Sequence, residues 1–118
     1  MKTTVIKVAM ALKEITKLGD KQVDDFNAAF ALYKLKKALV EIVAAFEEEK
    51  KKTAEKFGGK IEDDSFRFTS SDNQEKFLGA INLQAAAEID VEITPIDIAP
   101  YKPTANQIEL IADFISEV

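Results

Sequence analysis

From Lys21 to Phe57 the chain contains neither glycine nor proline, so nothing interrupts a helical hydrogen-bond ladder there. The stretch is dense in Ala, Leu, Lys and Glu, residues that lose little on entering a helix. It predicts one helix opening at Asp20 and closing at Gly58-Gly59, where glycine tolerates the left-handed cap. A helix of 37 residues would be about 55 Å long. A globule of this size has a radius of gyration of only about 13 Å. Such a helix is expected to project from the body or to pair with another copy.

Two apolar series run along it. One is Phe26, Phe30 and Tyr33. The other is Leu32, Leu35, Leu39, Ile42 and Phe46, which steps 3, 4, 3, 4 in the manner of a heptad seam. The second is the expected self-association seam. Val40, Val43 and the alanines widen the apolar face. The segment Glu47 to Lys56 reads as a solvated face, with Glu47–Lys51 and Glu48–Lys52 in the favourable i,i+4 order.

The chain has no Cys and no His. This excludes disulfides, thiolate metal sites and catalysis by a Ser-His-Asp or Cys-His arrangement. No glycine-rich phosphate loop is present, because the glycines stand at 19, 58, 59 and 79. Lys7, Lys13 and Glu14 interrupt the apolar N-terminal run, against a signal peptide. No apolar stretch reaches membrane-spanning length. The expectation is a cytoplasmic protein without membrane contact, cofactor or metal.

The net charge of −5 conceals an asymmetry. Residues 1–60 carry 13 lysines against nine carboxylates; residues 61–118 carry three cations against twelve carboxylates. The second part should therefore be strongly negative, which opposes direct nucleic-acid binding and suits a basic protein partner, the basic half of another copy, or solubility alone. Glu62, Asp63, Asp64, Asp90, Glu92 and Asp97 are the candidate contact carboxylates. The Glu62-Asp63-Asp64 triplet lacks the ligand spacing and glycine of a calcium loop. Alternation turns Asp90 and Glu92 to one solvent face, with no cleft implied.

Outside the long helix, Thr3-Thr4 caps a first helix over residues 4–18, ended by Gly19. The pair does not suit a DNA-reading helix-turn-helix, because the second helix is too long and its exposed face lacks an Arg/Asn/Gln cluster to read base edges. Phe66 and Phe68 alternate with polar residues in a short strand over 65–69, and EIDVEITP alternates over 88–94. These two are expected to pair in one small antiparallel sheet. Ser71 with Gln74 caps a helix to about residue 87, and Thr104 with Gln107 caps a last helix over 105–117. The fold class is α+β, mainly helical: an N-terminal helical pair with one long helix, a small antiparallel sheet and two further helices. Residues 1–118 form one domain, of which 1–58 is helical and 59–118 the small α+β part.

Three elements in this order carry a resemblance: the Lys/Glu helix ending in KFGG, the segment DNQEKFLGAINL, and the EIDVEITPIDI strand followed by a capped helix. They resemble small uncharacterised proteins of tailed bacteriophages and prophages. The resemblance implies a virus-encoded accessory or assembly protein and carries over no catalytic or binding position. The leading expectation is a non-enzymatic structural protein, acting in a host cytoplasm or in the virion, that self-associates through the long helix. The alternative is a small acidic inhibitor of a host protein, imitating nucleic acid with residues 61–118.

Overall fold

The computed structural model describes residues 1–63 and 65–116. The fold is α+β and mainly helical. A short strand β1 (Lys2–Thr4) runs directly into α1 (Val5–Gly19), whose first turn is capped by Thr4: its hydroxyl accepts from the Lys7 amide at 3.2 Å. The long helix α2 (Phe26–Lys56) follows, then a hairpin of β2 (Lys60–Glu62) and β3 (Ser65–Arg67), then α3 (Ser71–Ala86) and β4 (Glu88–Asp90). A turn of 3-10 helix at Ala99–Tyr101 leads to α4 (Ala105–Ile111), which tightens into a final 3-10 turn at Ala112–Phe114.

Helix α2 is 31 residues long, about 46 Å at 1.5 Å per residue. It opens at Asp25, not Asp20: the Asp25 carboxylate accepts from the Ala28 amide at 3.2 Å. The five preceding residues make a loop. Val23 packs on the core and Lys21 Nζ donates to the carbonyls of Tyr101 and Lys102, at 2.8 and 3.2 Å. Gly19 does not break α1; it is the last helical residue, and a Cβ there would stand 3.7 Å from Leu32. The other end of α2 matches expectation. Gly58 takes φ 76°, its amide donates to Glu55 O, and the Gly59 amide donates to Ala54 O. That pairing is a Schellman stop.

The helix does not project. The molecule measures 53 × 28 × 23 Å with a radius of gyration of 17.0 Å, well above that of a sphere of equal length. Helix α2 is its spine. The N-terminal part of the inner face packs on α1 and shares with α4 and the residues around Ile96 a core of Val8, Ile15, Leu18, Leu39, Ile111 and Phe114. Further along, the same face packs on α3 and the hairpin through a second cluster, where Ala54, Phe77 and Ile81 are buried under Phe46, Phe66 and Phe68.

The strands pair differently from the expectation of one sheet. There are two antiparallel pairs, β1 with β4 and β2 with β3. Lys2, Thr3 and Thr4 face Asp90, Ile89 and Glu88, and Glu62 faces Ser65. Closing a two-residue turn costs far less chain entropy than joining 65–69 to 88–94 across α3. The 88–90 strand instead takes the N-terminus, whose amine donates to Asp90 Oδ1 at 3.2 Å and to Val91 O at 3.0 Å. The Phe66/Phe68 alternation holds: both rings are half-buried, with centroids 5.3 and 5.0 Å from that of Phe77.

Capping is nearly as expected. Ser70, one residue before the expected Ser71, caps α3 through the Asn73 amide. Thr104 and Gln107 form the full reciprocal box. Buried Glu14 ties that box to α1, accepting from Gln107 Nε2 at 3.3 Å and from Lys17 Nζ at 3.4 Å. The last helix ends at Ile111, and Ile96 bridges to Ile115 beyond it. Residue 117, the end of the expected 105–117 helix, lies outside the described residues. The i,i+4 pairs expected on α2 are replaced by i,i+3 contacts, Lys51–Glu48 at 3.4 Å and Lys52–Glu49 at 3.5 Å.

Candidate interaction surface

A helix with 3.6 residues per turn puts positions 26, 30, 33, 37, 40 and 44 on one stripe, stepping 4, 3, 4, 3, 4. In α2 these are Phe26, Phe30, Tyr33, Lys37, Val40 and Ala44. The stripe lies on the side of α2 opposite Leu32, Leu35 and Leu39. All six residues are exposed; Phe26 keeps 77% of its surface, Tyr33 57% and Val40 45%. The aromatic rings stack along the helix, with centroids 5.9 Å apart for Phe26–Phe30 and 6.2 Å for Phe30–Tyr33. Lys34 Nζ sits 4.7 Å from the Phe30 centroid, a cation–π contact that holds the ring in place.

The expected seam is the other stripe. Leu32, Leu35 and Leu39 are buried in the chain's own core, Ile42 is half-buried against that core, and Phe46 covers the second cluster. The expected partner contact is therefore corrected for Leu32, Leu35 and Leu39, which have no surface left for it. Their surface is spent on the chain's own core, because branched aliphatic side chains at heptad spacing pack as well into a globule as into a second helix. The outward stripe was legible in the same stretch. Phe26, Phe30 and Tyr33 carry its beginning, and the 4–3 stepping runs on through Lys37 to Val40 and Ala44.

The candidate carboxylates fall in separate places. Glu62 forms an ion pair with Arg67 across the hairpin, Oε2 standing 3.1 Å from Nε. Asp63 holds the left-handed turn position at φ 48°, a conformation that Asp tolerates better than most residues. Asp64 lies outside the described residues. Asp90 is paired with the N-terminal amine, and Asp97 accepts from the Ala99 amide at 2.9 Å. Glu92 and Lys34 both line a groove of about 360 Å³ between α2 and the extended residues 92–96. Among the described residues no three metal-capable side chains gather.

The phenol of Tyr101 has a displaced pKa. Burial, and secondarily the negative charge of Asp25, push its phenol above the ordinary 10.0. Its place is structural: it lies in the core, beside the loop that feeds α2. No described helix is long and apolar enough to cross a membrane. What the outward face of α2 can do chemically is bury aromatic surface against a second apolar face. Comparison with protein-family models, with curated proteins and with solved structures finds no match for this chain.

Proposed function

We propose that this chain is a non-enzymatic structural protein that self-associates through the outward face of α2. In this reading it serves as an accessory or assembly component of the kind tailed phages encode, acting in the cytoplasm of a host cell. The observation that carries the reading is the row of exposed, mutually stacked rings at 26, 30 and 33, continued by Val40 and Ala44. An apolar row of this length on a soluble surface marks a contact site. Lys37 interrupts the row, exposed Lys34 and Lys36 lie beside its middle, and exposed Glu41, Glu47 and Glu48 lie beside and beyond its end together with exposed Lys51 and Lys52, so the occupant this reading assigns, a second copy, is chosen for its matching apolar face. The acidic-inhibitor reading finds no comparable support, because the described carboxylates are dispersed and several are engaged locally.

The test is the solution mass by light scattering on a sizing column. The wild-type chain is expected to run as a dimer, and a Phe30→Glu/Val40→Glu variant as a monomer with an unchanged helical circular-dichroism spectrum. A wild-type monomer at high concentration, or a variant that still dimerises, would overturn the proposal.

A further inference from the structure

We infer that α3 is a strap that undocks from α2 as a unit while the rest of the chain stays folded. Burial is split unevenly between the two cores. Among the described residues the first buries twelve side chains, with Val8, Ile15, Leu39, Ile111 and Phe114 at its centre. The second buries three: Ala54 of α2 and Phe77 and Ile81 of α3. Helix α3 runs beside α1 as well as α2, yet none of its described residues enters the first core. Stabilisation follows the apolar area removed from water, so α3 is held by a small share of it. Helix α1, of nearly the same length, buries six residues, whereas α3 buries only Phe77 and Ile81. Leu78 and Leu83 of α3 keep 51% and 76% of their surface.

The polar ties are as few. Gln84 Nε2 donates to Thr53 Oγ1 at 3.3 Å, the one side-chain hydrogen bond from α3 to another element among the described residues. The Lys76–Asp72 ion pair and the Ser70 cap are local to α3 and survive undocking. Both flanks are anchored elsewhere. The Gly58-Gly59 stop ties the start of the hairpin to the end of α2, and β4 is held against β1. Undocking therefore leaves the first core and the β1–β4 pair in place. It bares Ala54 and Phe46 on the inner face of α2, and the faces of Phe66 and Phe68 that pack on Phe77. Openings of this kind involve contiguous elements and lie below global unfolding in free energy. Hydrogen exchange reports them.

The test is amide hydrogen exchange followed by NMR at several low urea concentrations, on the full chain and on its Ile111→Val variant. Ile111 is fully buried in the first core, so the variant weakens that core without touching α3. The amides of Phe77 and Ile81 are expected to share one opening free energy, with a weaker urea dependence than those of Ile15 and Leu39, because the opening exposes less surface. Ile111→Val should speed exchange at Ile15 and Leu39 about 3- to 10-fold and leave Phe77 and Ile81 unchanged, since the first core is intact in the undocked state. One urea dependence and one acceleration shared by all four amides would show that α3 opens only with the whole chain, and would overturn the inference. Opening free energies that change from turn to turn along α3 would show fraying in place of undocking, and would overturn it as well.

Discussion

Gly59 and Gly79 differ in what surrounds them. A Cβ at Gly59 would come within 2.6 and 2.8 Å of the Phe68 ring and 3.0 Å of Ala54 O, whereas a Cβ at Gly79 would meet nothing within 4 Å. Gly59→Ala should therefore destabilise the chain by about 1–3 kcal/mol, because the ring is already packed against Phe77 and has little room to yield. Gly79→Ala, inside α3, should stabilise it by about 0.5–1 kcal/mol. Urea midpoints of the two variants check both signs. Tyr101 makes a prediction in pH. Its phenol ionises less readily in the folded chain than in the unfolded one. Its contribution to stability is complete below the unfolded value near 10 and is lost as pH rises through the folded value. Between about pH 8 and about pH 11 the urea midpoint should fall further in the wild type than in Tyr101→Phe.

Leu39 and Val40 are neighbours on α2, about 100° apart around its axis, and fall either side of the boundary between its inner and outer faces. Leu39 is fully buried in the core and Val40 is exposed on the outward stripe. Leu39→Ala is expected to cost about 2–5 kcal/mol of unfolding free energy. Val40→Ala should leave the stability of the isolated chain within about 0.5 kcal/mol while weakening the dimer, a contrast visible by comparing urea unfolding with the dilution dependence of mass. The helices were legible in the sequence because their signals are local. Thr4, Thr104 with Gln107, and Gly58 with Gly59 act within a turn of where they stand. The start of α2 was misplaced since Asp20 and Asp25 offer the same cap, and the choice is made by Lys21 reaching the distant carbonyls of Tyr101 and Lys102. Strand pairing was not legible, because β1 meets β4 across almost the whole chain. The side of α2 that faces inward was not legible either. Both stripes step as heptads, and only the mating faces of α1, α3 and α4 select one.

At the scale of the molecule, α2 is a spine with two small cores on one side and an uncovered aromatic stripe on the other. Apolar burial would hold the pair together. The central claim is that the uncovered stripe is the contact, and sedimentation equilibrium at low salt and at about 1 M salt tests it most directly, since screening at 1 M shortens charge interactions to about 3 Å. The account predicts twice the chain mass of 13.1 kDa in both conditions. The single-chain mass in both, or a dimer that comes apart in high salt, would contradict it.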